Sequence, residues 1–526
     1  MPAVNFVTPR FTVRLYKSIM RKPMEGGLPT SERYANKEAF IDLTPFLGDG
    51  SNITTGKDCR QPAGTFSLTF SDRPNVSGQA MGPVLATAGL ETVYGLVEPM
   101  DVVEIRMWNG KGIRGSELPI KMRGFVTEIT RGRQMGADGR PVRTVVVSGQ
   151  DYGKIIQMYQ ILYLPSYTGS EPLLSGFNFF EHFGMSAKNV MTGKEFITTL
   201  LEKAINPLLD ALIPQYSPMP RVIMPDVQAE GMMNNSYMNQ EGSVYDLMKS
   251  FLDVGYWNEL YVEDREDGVY LVWRPLPYIG LMNKTATQEM AQDPYWATIP
   301  DNEIVNVRQG RNDEAISNYY WVTNQRFDMV DDMHRRVEAF MAGAHNETLN
   351  YPNTAHKYYG IRALYADSVM GPMDVDNQTS GLDEQGQEAR GGAILQWIRD
   401  RRQTVIDNNQ DNVVFEKGSM DIKGGPARDN GEALKAGDYI QVLDGMMSWS
   451  AYVVSITDNF QPYRSYTSSL NFERGTGFAE RVSEAAGNSP WLKEQVIRGN
   501  TAGNDIGDLA KVDPRLAKIR DLWRSF

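Results

Sequence analysis

Apolar residues recur at every second position over long stretches of this 526-residue chain, and that period limits the possible folds more than any other feature. A period of two sends successive side chains to opposite faces of an extended strand. Phe11–Tyr16, Gly64–Phe70 and Asp101–Trp108 alternate in this way, as do Ile120–Thr130 and Arg143–Gly149. Between the last two lies Asp138-Gly139, a pair that accepts the positive φ angles of a tight hairpin turn. The spacing predicts an antiparallel barrel or sandwich over residues 1–155, followed by a helix near Tyr152–Tyr159. The 48 glycines and 28 prolines are dispersed, as many turns between short strands require.

From 156 to 300 the pattern becomes α+β. Thr192 and Glu195 form a capping box that opens a helix over 193–206, expected to end before Pro207. Ser243 with Asp246 opens a second helix, closed by Gly255. A hairpin follows, with strands at Asn258–Glu263 and Val269–Arg274 around a turn at Glu266-Asp267-Gly268. Pro275 and Pro277 stop it.

Strand patterns return over 301–475, interrupted by one long helical stretch near 381–408 (Leu382, Ala389, Ile394, Leu395, Ile398). Gly437–Val442, Ala451–Thr457 and Tyr466–Phe472 read as strands of a second barrel. Residues 476–526 form a helical tail. Ser489-Pro490 and Asp513-Pro514 each set a cap before a proline at the first helical position, predicting helices at 489–498 and 514–525. In the second of these, Leu516, Ile519, Leu522 and Trp523 make one apolar stripe. Aromatic residues dominate helix-in-groove anchors, so these four are candidate partner-docking residues.

Composition removes several function classes. Lysine and arginine number 53 against 65 acidic residues, for a net charge of −12. A general nucleic-acid binder is normally basic, so no specific nucleic-acid partner is expected. Cys59 is the only cysteine, which forbids an intrachain disulfide and a thiolate metal cluster within one chain. No apolar run approaches the roughly 18 residues that suggest a membrane span, and the N-terminal segment lacks a signal-peptide core, so synthesis in a cytoplasm without membrane insertion is expected.

Candidate chemistry does not assemble. His334, His345 and His356 are spaced by eleven near Asp328, Asp331 and Asp332, but Gly343, Pro352 and Asn353 interrupt any helix that would align them. Gly193-Lys194 resembles the end of a phosphate loop, yet Lys188 and Glu195 occupy its required Gly and Ser/Thr positions. Gly110–Gly115 follows a strand and leads to another strand, not to a helix. Glu181-His182 sits beside Phe177, Phe179, Phe180 and Phe183, where a raised-pKa acid is conceivable, but nothing selects a second carboxylate. No nucleophile elbow appears, and Cys59 lacks a Cys-His signature. The expectation is a protein without catalytic, cofactor or metal residues.

Five segments together resemble one family, the baseplate hub proteins of tailed bacteriophages, related to late-control tail proteins and to the hub part of type VI secretion spikes. They are Gly124–Thr130 with Val145–Gly153, Gly255–Glu259 with Asp267–Pro277, Ile304–Val322, Tyr359–Arg362, and Gly437–Val442 with Tyr452–Ile456 and Leu470–Gly475. The resemblance spans about 120–475. The segments at 160–240 and 325–435 fall outside it, and no lytic extension accompanies it.

The resemblance implies a mainly β chain with an α+β insertion, two tail-tube-like β-barrel domains and short C-terminal helices. The implied divisions are 1–155, 156–300, 301–475 and 476–526. The implied role is a homotrimeric adaptor that matches a six-fold tail tube to a three-fold central spike and lines the DNA ejection channel. The tube protein, the spike protein and other baseplate proteins are its implied partners, in the baseplate of a virion with a contractile tail. A virion-associated cell-wall hydrolase and the hub of a secretion-system spike are the alternatives.

Overall fold

The computed structural model describes residues 9–23, 29–33, 40–71, 92–109, 117–135, 139, 141–161, 192–232, 242–281, 288, 293–324, 353–372, 384–444 and 447–485. The alternating segments become strands. The first block contains β1 (Arg10–Tyr16), β2 (Ile19–Pro23), β3 (Pro29–Arg33), β4 (Ile41–Asp42), β5 (Asn52–Asp58) and β6 (Thr65–Ser71). Helix α1 (Val93–Leu96), β7 (Val102–Trp108), β8 (Ile120–Met135), β9 (Pro141–Asp151) and α2 (Gly153–Met158) complete it. Along β6, Phe66, Leu68 and Phe70 are buried while their neighbours are not. They join Val13, Leu15, Ile53, Val145 and Val147 in one core. Gly139, between β8 and β9, has φ +73°, the conformation anticipated for that turn.

The middle section runs β10 (Gln160–Ile161), α3 (Gly193–Leu200), α4 (Asn206–Leu212), β11 (Ile223–Val227), β12 (Gly242–Ser243), α5 (Val244–Phe251), β13 (Asn258–Arg265) and β14 (Gly268–Pro275). Both capping boxes form: Thr192 Oγ1 accepts from Glu195 N at 3.2 Å, and Ser243 Oγ from Asp246 N at 3.1 Å. Pro207 does not end the helical path as expected. A π-helical turn over Leu201–Ile205 shifts the backbone register, and the proline falls in the first turn of α4, where its missing N–H costs nothing. Strands β13 and β14 form the expected hairpin, and β11 adds parallel to β14. Trp273 is fully buried among Phe196, Leu200, Met248 and Leu252, and its Nε1 donates to the Leu252 carbonyl at 3.1 Å.

The last section contains β15 (Trp296–Pro300), β16 (Ile304–Gly310), β17 (Tyr319–Asn324), α6 (His356–Tyr359), β18 (Ala363–Ser368) and α7 (Glu384–Asn409). It continues through β19 (Glu416–Lys423), β20 (Tyr439–Asp444), β21 (Met447–Gln461), β22 (Ser465–Gly475) and α8 (Gly477–Ala485). Helix α7 is the long helix expected near 381–408. Its residues Ile394, Ile398, Val405 and Ile406 are buried, and Val405 and Ile406 share a core with Tyr320 and Val322 of β17 and Ala366 of β18.

The chain is mainly β and its sheets are mostly antiparallel. Two separate barrels are not what the pairing gives. No pairing among the described residues closes either block. Instead one open sheet of thirteen strands runs β16-β19-β22-β21-β5-β6-β9-β8-β7-β1-β4, with β20 and β15 branching from β21. The reason is strand length. β21 has 15 residues and β20 only six, so β20 covers the first half of that edge and β5 takes the second half, Ser455–Phe460.

Two halves of this sheet repeat one motif. The order β5-β6-β9-β8-β7 matches β16-β19-β22-β21-β20 strand for strand, with antiparallel pairing at every step. Each long strand carries a bulge at its eighth residue, Thr127 in β8 and Val454 in β21. Aligning the bulges sets Phe125-Val-Thr-Glu-Ile-Thr130 on Tyr452-Val-Val-Ser-Ile-Thr457. Each motif then ends in a helix that begins with glycine. A Cβ on Gly153 would lie 2.0 Å from the Pro62 carbonyl oxygen, and one on Gly477 would lie 2.7 Å from Glu416 Oε2. Close approach explains both glycines.

Candidate functional site

Among the described residues, buried charges concentrate at the seam between the two motifs. On its first side, Lys57 of β5 bridges two buried carboxylates, Asp151 at 2.5 Å and Asp264 at 2.8 Å. This ties the seam to the end of β9 and to the middle hairpin at once. Burial pushes the Asp151 carboxyl above its ordinary range, the Lys57 ammonium opposes this, and the neighbouring Asp264 carboxylate adds to it. The paired carboxylates outweigh burial at Lys57 and raise it above the usual ammonium value. On the second side Lys121 of β8 meets Asp458 of β21 at 2.9 Å, with both side chains buried.

Beside the seam, the middle hairpin and the loop before β20 enclose a charged cleft of about 540 Å³. Its side chains are paired across elements. Lys435 Nζ donates to Glu263 at 2.6 Å, and Arg428 makes two bonds to Asp438 at 2.7 and 2.9 Å. Arg274 makes two bonds of 3.1 Å to the buried Glu259 and donates to the Gly437 carbonyl at 2.8 Å. From the first block, Arg106 reaches Glu266 at 3.1 Å and Arg123 the Arg265 carbonyl at 2.8 Å. A buried charge is tolerated only when paired in this way, and such networks fix geometry more than they add stability. The cleft is a clamp between the middle hairpin and both motifs.

Cys59 lies in the same region, buried, with Sγ 3.6 Å from Glu259 and 3.5 Å from the Tyr452 hydroxyl. Burial and the Glu259 carboxylate push its thiol well above the ordinary value, so it stays protonated and unreactive. His356 is exposed on the short α6. Among the described residues no group of three or more His, Cys, Asp or Glu could hold a metal ion. His334, His345, Asp328, Asp331, Asp332, Glu181, His182 and Gly110–Gly115 lie outside the described residues. So do the expected terminal helices with Leu516, Ile519, Leu522 and Trp523.

Two of the segments singled out by the family resemblance, Ile304–Val322 and Tyr359–Arg362, meet in space. Arg362 pairs with Asp313 at 2.7 Å, and its backbone N–H donates to Asn318 Oδ1 at 2.8 Å. Asn318 in turn donates to the Thr354 and Gly360 carbonyls. Sequence reasoning missed Lys57, Lys121, Glu259, Glu263 and Asp458. The available signal was charge within strand patterns, as in Asn258-Glu-Leu-Tyr-Val-Glu-Asp264, where most alternate positions are expected to be apolar.

Among the described residues, the short β4 and β15 end the sheet on one side each, and two longer edges are also unpaired. The outer edge of β16 exposes Val305 (61%) and Val307 (41%). The second half of β8, from Glu128, has β9 on one side and no strand on the other among the described residues, and it ends at Met135, 68% exposed.

No protein-family model matches the sequence. No curated protein matches it. Several solved structures do. A tail protein from Neisseria meningitidis MC58 is 10% identical, with a TM-score of 0.41 over 88% of this chain and 96% of its own. The 43 kDa tail protein of prophage MuSo2 from Shewanella oneidensis is 10% identical, with a TM-score of 0.40 and the same coverage. An E. coli protein described as a component of the type VI secretion system is 8% identical, with a TM-score of 0.35 over 81% of this chain and 73% of its own.

Proposed function

We propose that this chain is a structural hub of a phage-type tail baseplate, acting as a homotrimeric adaptor and not as an enzyme. The observation that carries the reading is the duplicated five-strand motif. Three copies of a chain with two similar motifs present six similar surfaces, which suits a six-fold tail tube on one side. The same trimer keeps three-fold symmetry for a central spike on the other. The five sequence segments that resemble baseplate hubs lie largely in these motifs and in the elements clamped between them.

In this reading residues 1–155 and 301–475 are the tube-facing units, 156–300 the insertion between them, and 476–526 a tail that docks on a baseplate or spike neighbour. The chain's net charge of −12 fits a channel wall that DNA slides past without sticking, because like charges repel. The protein resides in the tail of the virion, with the tube, spike and other baseplate proteins as neighbours.

Native mass spectrometry tests the reading, run with and without the spike protein at concentrations where tails assemble. A trimer is expected. Monomer alone under both conditions overturns the proposal. Mass spectrometry of purified particles separates a virion from a secretion machine, and activity on purified peptidoglycan would reveal a hydrolase instead.

A further inference from the structure

The geometry points to a specific interface between copies: β16 of one copy pairs antiparallel with the second half of β8 of the next. This rests on the trimeric reading and deepens it. The seam inside the chain supplies the template, because β5 lies on the second half of β21. In the duplicated motif β16 stands where β5 stands, and β8 stands where β21 stands. Among the described residues, one of these equivalent pairings is therefore satisfied within the chain, and the edges for the other are left open. The contact is head-to-tail, a kind that closes into a ring when the rotation between copies permits.

The strand pairings of the two motifs fix the register. Ile53 faces Leu68 in the first motif and Val307 faces Met420 in the second, and Leu68 and Met420 face Val147 and Leu470 of the aligned hairpins. Ile53 thus corresponds to Val307. Within the chain Ile53 is fully buried opposite Phe460, whereas Val307 is 41% exposed. Phe460 corresponds to Arg133 through the aligned bulges. The seam pairing of Thr457 with Gly56 becomes Thr130 with Gly310, again threonine against glycine. The correspondence holds over Asn306–Gly310, up to a bulge at Val305, and leaves Met135 and Val305 near the ends of the two strands. These are two of the most exposed apolar side chains on the two edges. An open edge with exposed apolar residues is a template for pairing with another strand, and here the second edge exists on the same chain.

Cysteine cross-linking tests the register, since Cys59 is buried and the background is clean. The double variant Arg133→Cys with Val307→Cys should give covalent dimers and trimers on oxidation, because a disulfide needs Cα atoms within roughly 7 Å. The double variant Met135→Cys with Arg308→Cys, out of register, should not. A charge test runs beside it. Val307→Lys places like charges opposite Arg133 and should weaken association about tenfold, whereas Val307→Glu should preserve it. Both positions are exposed, so the chain folds in either case. A native trimer with no cross-link and equal behaviour of the two Val307 variants overturns the interface while leaving the trimer standing. Monomer in every condition, spike included, overturns both.

Discussion

Replacing Lys57 with methionine probes the clamp that ties the seam to the middle hairpin. The substitution keeps a similar length and removes the charge, leaving Asp151 and Asp264 facing each other without their cation. Both carboxylates are almost closed to water, with 1% and 2% of the side chain exposed. Breaking a buried pair by removing one partner typically costs 3–5 kcal/mol, because the remaining charge stays buried. At about 2–4 °C per kcal/mol for units of 150–250 residues, the melting transition should fall by roughly 10 °C.

The sign of the pH dependence follows from Asp151. Its carboxyl already lies above the unfolded value of 3.8, with burial as the main cause and Lys57 as the opposing influence. Without Lys57 it rises further. A carboxyl raised by folding contributes stability that is complete below its unfolded pKa and is lost as pH rises through its folded pKa. The Lys57→Met variant should therefore melt closest to the parent near pH 4 and fall progressively behind it towards pH 8. Circular dichroism melts across that range measure this. Adding Asp264→Asn should recover part of the loss, since one carboxylate is then neutral. A loss below about 1 kcal/mol, or one that does not change with pH, refutes the clamp.

Glu263 predicts the opposite slope. Burial would raise its carboxyl, but Lys435 at 2.6 Å and Arg265 at 3.2 Å outweigh burial and hold it below the ordinary 4.5. Its stabilisation is present above that value and is lost as pH falls, so Glu263→Gln should flatten the acid side of the melting profile below pH 4.5. Gly153→Ala forces a Cβ against backbone and should cost about 1–3 kcal/mol, more than Gly477→Ala, whose obstacle is the movable end of Glu416; paired denaturation curves compare them. Deleting 500–526 should leave a folded, soluble trimer that no longer recruits a baseplate or spike partner in pull-down. Loss of its own thermal transition would assign the tail to the hub core instead.

Local patterns carried much of this protein's structure. Alternation located β1, β6, β7, β8 and β9, and the capping residues Thr192 and Ser243 located the starts of α3 and α5, because each signal acts over only a few residues. The single cysteine and the broken phosphate-loop spacing narrowed the chemistry in the same local way. Strand partners lay beyond that reach. Nothing within β5 or β21 says that they pair, since their partnership depends on how much of the edge of β21 is left uncovered by the shorter β20. For the same reason nothing local marks Lys57, whose two carboxylates come from residues 94 and 207 positions away. The repeat of Phe125–Thr130 in Tyr452–Thr457 was present in the sequence but too short to stand out. Only the tertiary structure, by giving both segments the same bulge and equivalent neighbours, made it a duplication and brought out the unpaired edges of β16 and β8 among the described residues.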